Sequence, residues 1–426
     1  MQIVLESIQE VAFIDPVEWL TENNYQNSAL LTGDQKQSDF SLYGWDPVFE
    51  FSFSQDCQVW DKIKQLIQKY DFSHLPYPAN RCGWVGYLNY DLGRYLEVIP
   101  NTNKYSYQIP EACITLYRNY RYWDNLTKKC WEISLAFSDF SQSQICKNQA
   151  AYSLSNFTQE CNEAEYCDKV RKIQDYILSG HVYEVNLTQQ FSADFSGSPW
   201  SFFKRLYGKN SGPFSAYLNY PGLAVCSISP EQFLTCEDRK VLTKPIKGTA
   251  PRGKDQAEDM NNKETLLSSE KDLAELHMIV DLLRNDLSKV CEIGSVNVIH
   301  PNKLETFANV FHLVGIVEGY LQADLTIVDL IKASFPGGSI TGCPKIASMK
   351  VIEELETYKR NLYTGTIFLA NKNFLSSSIV IRTGIITQDK LYVNSGGAVT
   401  IESDPASEYQ EILHKIRNFL NICEEK

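Results

Sequence analysis

Four carboxylates stand at spacings that could do chemistry. Asp272 and Glu275 lie three residues apart in one helical pattern, and Glu408 and Glu411 lie three apart in another, so each pair shares a face of its helix. Two such faces turned toward each other would make a hard-cation site. Mg²⁺ takes oxygen ligands, commonly one or two protein carboxylates with water and an anionic substrate completing the shell. The plainer alternative is that each pair only solvates its helix. Lys415, one turn beyond Glu411, either points an ammonium at the same place or makes a surface pair with it.

Single residues elsewhere could supply the reacting groups. In Pro245-Ile246-Lys247-Gly248-Thr249-Ala250-Pro251-Arg252-Gly253 a lysine sits in a turn that follows a strand-like run. An amine kept out of water there loses its proton more easily and can act as nucleophile or base, whereas a solvated one does neither. Glu231, in Ser229-Pro230-Glu231, is a carboxyl that burial would tune into a general acid. Arg382 falls within the strand-like run Ile379 to Thr383, where a buried guanidinium needs a partner or a ligand. His312, between Phe311 and Leu313, is either a satisfied core histidine or a catalytic one.

Pro336-Gly337-Gly338-Ser339-Ile340-Thr341-Gly342-Cys343-Pro344-Lys345 has the two glycines of a phosphate loop, but Cys343 and Pro344 replace the Lys and Ser/Thr that phosphates and Mg²⁺ require. What remains is a Gly-rich turn opening a helix at Pro344. Its free N–H groups could hold a carboxylate, or the turn is an ordinary junction. No H-E-x-x-H or G-x-S-x-G occurs, and the six histidines are dispersed.

These residues depend on two kinds of element. Strand-like runs fall at Val48 to Phe53, Cys82 to Leu88, Cys113 to Arg118, Lys129 to Leu135, Val182 to Phe191, Leu223 to Ser229, Val241 to Ile246, Asn309 to Tyr320, Thr364 to Leu369, Ser377 to Thr387 and Leu391 to Asn394. Helical patterns cover about Glu165 to Leu178, stopping at Gly180, and about Asn262 to Val290. A last helix opens at Asp404-Pro405, where Asp suits the N-cap and Pro the first turn. Clustering without strict βαβ alternation predicts an α+β fold with largely antiparallel sheets. The Ser/Gln/Asn-rich stretch from Phe137 to Glu163 predicts a boundary between a β-rich N-terminal subdomain, 1–150, and a catalytic region, 160–426, the two packed as one body.

A chain of 426 residues with 43% hydrophobic content can bury a large core. Its net charge of -12 and lack of a long Lys/Arg cluster exclude nucleic acid as the expected partner. No run of about 18 apolar residues predicts a membrane span. The start, Met1 to Glu6, lacks the basic-then-apolar layout of a secretory signal, so a cytoplasmic protein with reduced thiols is expected.

Taken together these segments resemble the chorismate-utilising enzymes, and among them the branch of aminodeoxychorismate synthase component I. The likeness runs from about Glu165 to Leu420 through Val182 to Phe191, Ser229-Pro230-Glu231, Pro245 to Arg252, Met278 to Asp286, Phe335 to Lys345, Ile381-Arg382-Thr383 and Glu408-Tyr409-Gln410-Glu411. It is weaker earlier, through Gly83 to Tyr87 and Tyr90 to Arg94.

The resemblance implies two antiparallel sheets packed face to face, helices outside, and a deep chorismate site. It implies that Glu275 and Glu411 ligate Mg²⁺, with Glu408 and Asp272 joining through water. Arg382, Tyr363, Lys415, Ser339 and the backbone around Gly248, Thr249, Gly397 and Ala398 would hold the substrate, and His312 would join Lys247 and Glu231 in catalysis. The implied mechanism has Lys247 attack C2 of chorismate while Glu231 protonates the departing 4-hydroxyl. Ammonia then attacks C4 and the lysine leaves. Anthranilate and isochorismate synthases resemble this chain less, since they usually carry Ala where Lys247 stands. Enzymes that add water also carry a lysine base where Glu184 stands.

Two departures stand out: Glu184 replaces the usual Gln of amine-using relatives, and Ala398 replaces the third glycine of a G-G-G turn. Alanine tolerates positive φ poorly. The rival expectations are anthranilate synthase component I, whose tryptophan-sensing L-L-E-S is not matched by Leu30-Leu31-Thr32-Gly33, and a non-catalytic chorismate-binding regulator. None of the twelve cysteines stands in the Gly-flanked elbow of a glutaminase nucleophile. Ammonia is therefore expected from a separate glutamine amidotransferase subunit.

Overall fold

The computed structural model describes residues 1–424 except 36, 138, 147–150 and 308–309. The expected boundary at residue 150 and the expected strand start at Asn309 lie outside the described residues. Two strand arrays make the body. The first runs Glu184–Gly197, Lys390–Val399, Thr383–Thr387, Leu223–Ser229, Phe214–Tyr220, Ser28–Thr32, Phe40–Phe53 and Ala112–Asp124, antiparallel at every step. The second begins on the other edge of Ala112–Asp124 with Trp84–Leu88, then continues through Thr366–Ala370, Phe374–Ile379, Gln232–Glu237, Lys240–Thr243, Val310–Tyr320 and Asn297–Thr306. Ile246–Pro251 shares an edge of Val310–Tyr320 with Lys240–Thr243.

The arrays face each other across one core, to which the first gives Ala29, Leu42, Leu218 and Val225 and the second gives Trp84, Phe233, Leu369 and Leu375. Period-2 alternation explains how a strand serves two layers. In Leu223–Ser229, Val225 enters that core, while Ala224, Cys226 and Ile228 pack in a second cluster with Phe202 and Phe203 of the outer helix Pro199–Lys209. Strands covered on both sides lose the apolar-polar alternation of a half-exposed sheet, and Trp84–Leu88 and Leu223–Ser229 are buried throughout. The fold is α+β, with two antiparallel sheets face to face and helices outside.

Three expected elements are divided. The helix expected over 262–290 is two, Gln256–Ser268 and Glu270–Ser288, because Ser269 takes an extended ψ of 102° and its side chain accepts from the Asp272 N–H. The run 377–387 is also two strands, Phe374–Ile379 in the second array and Thr383–Thr387 in the first. Arg382 is therefore not inside a strand. It is the corner between the arrays, with a left-handed φ of 50°. The run 241–246 likewise divides, into Lys240–Thr243 and Ile246–Pro251. The helix opening at Asp404-Pro405 forms as expected, with the Asp404 carboxylate accepting from the Ser407 N–H.

Among the described residues no helix is long and apolar enough to cross a membrane. The described cysteines, from Cys57 to Cys343, are free thiols.

Candidate active site

The chain crosses between the two arrays twice at one place. Leu223–Ser229 of the first leads through Pro230-Glu231 into Gln232–Glu237 of the second, and Phe374–Ile379 returns through Arg382 to Thr383–Thr387. The crossings are tied together: the Ile379 N–H donates to the Glu231 carbonyl at 3.1 Å, and Ser229 Oγ donates to the Ile379 carbonyl at 2.6 Å. Crossing points supply functional side chains because a strand that leaves its sheet has no ladder partner there. Arg382, largely but not fully covered at this corner, makes no side-chain hydrogen bond or ion pair with a described residue. Burial lowers its pKa from the usual value, with Glu231 as the opposing charge.

Glu231 is 6% exposed, and its Oε1 accepts from Ser339 Oγ at 2.6 Å. Burial raises its carboxyl to about 7, against the Ser339 hydrogen bond and the nearby cations Lys247, Lys415 and Arg382, which pull it down. A carboxyl half protonated near neutrality suits a general acid. Ser339, expected on the substrate, donates to this acid.

Lys247 is carried on Ile246–Pro251 beside a register shift, where Gly248 has φ +74°. A Cβ at Gly248 would lie 3.0 Å from Asp272 Cβ, so the glycine permits both the backbone turn and the close approach of the carboxylate-bearing helix. The lysine side chain is 9% exposed, and Nζ lies 2.7 Å from Glu184 Oε1 and 3.9 Å from Glu275 Oε2. Burial pulls its pKa down, but the charges of Glu184 and Glu275 and the hydrogen bond outweigh this and raise it. It rests as an ammonium. Glu184 is fully buried, and its Oε2 has no hydrogen-bond partner.

His312 lies across from Thr249, with Nδ1 2.9 Å from Thr249 Oγ1. Burial first, then the charge of Arg382, lowers its pKa to about 4, so at neutral pH the ring is uncharged. Tyr363 is buried beside the Arg360 and Glu356 charges.

The carboxylate-bearing helices are linked through Lys271. Gly397 lies where a Cβ would be 3.1 Å from Glu408 Oε2, 3.8 Å from Glu411 Oε1 and 3.8 Å from Lys415 Nζ. Lys415 is therefore no isolated surface cation: Nζ lies 2.7 Å from Glu411 Oε1 and donates to the Gly396 carbonyl at 2.9 Å. Lys271, which the motifs do not single out, lies 4.0 Å from Glu275 Oε1 and 3.8 Å from Glu408 Oε1, linking the two helices. Burial raises Glu275 to about 7 despite Lys247. Burial also raises Glu408, whose Oε2 is buried without a partner. Glu411 is lowered, because Lys415 outweighs its burial. Asp272 stands at the capped helix start beside Gly248.

Among the described residues no three metal-binding side chains converge on one point. The donors still fit a hard cation that takes few protein oxygens, since Glu408 keeps an orphaned oxygen while its other oxygen is linked to Glu275 of the neighbouring helix through Lys271 alone. Ala398, in the position of a third glycine, pairs with Asn186 in ordinary extended backbone and is not among the positive-φ residues.

The Gly-rich turn faces protein. Gly342, with φ +134°, has no room for a Cβ, which would fall 2.2 Å from the Glu184 carbonyl oxygen. The Asn186 N–H donates to the Thr341 carbonyl, and Ser348 Oγ donates to the Glu184 carbonyl at 3.0 Å. Lys345 is tied to Asp286 at 2.6 Å. The turn thus holds Glu184 and, through Ser339, Glu231.

Residues 26–421 match the family model described as chorismate binding enzyme. The chain belongs to that family. It is 38% identical to aminodeoxychorismate synthase component 1 of Klebsiella aerogenes over 84% of this chain and 80% of that protein. The protein of the same description from Escherichia coli (strain K12) is 36% identical over 80% of this chain and 77% of its own length. A crystal structure of anthranilate synthase component I from Streptococcus pneumoniae TIGR4 superposes with a TM-score of 0.78, at 28% identity, over 89% of this chain and 92% of that one.

Proposed function

We propose that the chain is an aminodeoxychorismate synthase component 1, which aminates chorismate at C4 with ammonia to give 4-amino-4-deoxychorismate. The observation that carries this reading is a buried lysine, Lys247, 2.7 Å from a carboxylate that can take its proton and in the field of a general acid, Glu231. The names of the most similar relatives point the same way.

Chorismate's carboxylates would be met by Arg382, which has no side-chain partner among the described residues, and by Lys415. Lys247 passes a proton to Glu184, and its neutral amine attacks C2 as the ring double bond shifts and the 4-hydroxyl departs. Glu231 gives that hydroxyl its proton, so water leaves. Ammonia then attacks C4, its extra proton returns to Glu231, the double bond shifts back, the C2–N bond breaks, and Lys247 regains a proton from Glu184. The sum is chorismate plus ammonia to aminodeoxychorismate plus water. The burial of Lys247 and Glu231 supports a site from which competing water is held back. Mg²⁺ held by Glu275 and Glu411, with Glu408 and Asp272 outside them, would supply a fixed positive charge for a substrate carboxylate.

Mass analysis of products from chorismate, Mg²⁺ and ammonium salts tests the reading. A product that keeps the enolpyruvyl group supports it. Anthranilate with released pyruvate would assign the chain to the sister activity, and no turnover would leave a chorismate-binding regulator.

A further inference from the structure

Lys271 differs from the other cations around the carboxylates. Lys247 and Lys415 are each fixed by a contact of 2.7 Å, to Glu184 and Glu411 respectively. Lys271 makes no hydrogen bond to a described residue. Its Nζ stands 4.0 Å from Glu275 on its own helix and 3.8 Å from Glu408 on the other, and its side chain is 44% exposed while those two are 11% and 5% exposed. Contacts of that length are ion pairs without a directed bond. The ammonium thus occupies the space between two nearly buried carboxylates and has an open way to solvent. Glu408 Oε2 has no partner, so the lysine does not satisfy the pair it bridges.

We propose that Lys271 is an internal counter-ion that stands in for Mg²⁺ between Glu275 and Glu408 and swings into solvent when the metal binds. This rests on the reading that Mg²⁺ is held by Glu275 and Glu411 with Glu408 just outside them, so that a cation between Glu275 and Glu408 stands in the metal's way. A residue in that role opposes metal binding, because the cation must displace it. In the metal-free protein it stabilises the approach of the two helices by offsetting their charge. Once the metal is bound it contributes nothing. The metal and the lysine are then alternatives.

The test uses the full chain and Lys271→Met, which keeps the apolar stem and removes the charge, with Lys271→Arg as the charge-keeping control. Calorimetric titration with MgCl₂ and thermal unfolding with and without saturating Mg²⁺ are both read. Displacement predicts that Lys271→Met binds Mg²⁺ up to about fivefold tighter, the range of a partly exposed ion pair. It also predicts a lower Tm than wild type without metal, an equal Tm with saturating metal, and near-wild-type behaviour for Lys271→Arg. Unchanged or weaker Mg²⁺ affinity in Lys271→Met, or the same loss of Tm in both states, would overturn it and mark a fixed structural pair. If the wild-type chain itself takes up no Mg²⁺, the metal reading falls and this inference falls with it, an outcome visible in the wild-type titration alone.

Discussion

Glu231 is the residue whose chemistry depends most on its surroundings. Its acid form is the working one, and burial sets its carboxyl near 7. Turnover per unprotonated ammonia should therefore fall as pH rises through about 7, while turnover per total ammonium gains from the growing fraction of free ammonia, so the two trends oppose. Ser339 donates to the ionised carboxylate and pulls its pKa down. Ser339→Ala should move the falling limb to higher pH, which a pH profile at constant free ammonia would read. A limb that stays in place would argue that another group is the acid. Lys247 and Glu231 are legible in the sequence because each sits in a short motif of distinctive composition. The two roles that are not legible are relations between distant positions: Ser339 as the holder of Glu231 lies 108 residues away from it, and Lys271 reads as an ordinary i,i+4 partner of Glu275 until the second helix is in place.

At the scale of elements, the site depends on breaks. Ser269 ends one helix and caps the next, so that Asp272 and Glu275 fall in its opening turns. One helical pattern read from 262 to 290 passes over the break, although the polar run 268–272 and its Ser-x-x-Asp capping signal at 269–272 could have located it. Ser269→Ala should cost about 1 kcal/mol in denaturant unfolding and weaken Mg²⁺ binding. Full retention of both would mean that the cap does not place the carboxylates. Gly248→Ala should be worse for function than for folding. A methyl group there meets Asp272 and forces a left-handed φ on alanine, at a cost of about 1 kcal/mol or more, and it shifts the backbone that aims Lys247. The measurement is kcat against KM, with the loss expected in kcat. The corner at Arg382 is hidden for a similar reason: the apolar run on either side of it reads as one strand, and only the crossing between sheets shows that the arginine is a corner.

At the scale of the molecule, the two sheets are joined where the chemistry lies, so packing of the common core and geometry of the site are one problem. The antiparallel class of the sheets was legible from strand clustering. The order of the strands was not, because pairings such as Thr366–Ala370 with Trp84–Leu88 join segments almost three hundred residues apart, for which no local pattern exists. The described cysteines offer no glutaminase-like elbow: Cys343, the one near the site, is followed by Pro344 and Lys345, the latter tied to Asp286. The chain alone should use ammonium salts and be inactive with glutamine until a glutaminase component is added, and glutamine-dependent turnover by the single chain would contradict that.

In the proposed reaction, amination passes through Lys247. The most direct measurement compares wild type with Lys247→Ala, reading chorismate binding by calorimetry and aminodeoxychorismate formation from ammonium by mass in the same preparations. The variant should still fold and bind chorismate while product formation drops by orders of magnitude. Unchanged amination by a folded Lys247→Ala protein would contradict it.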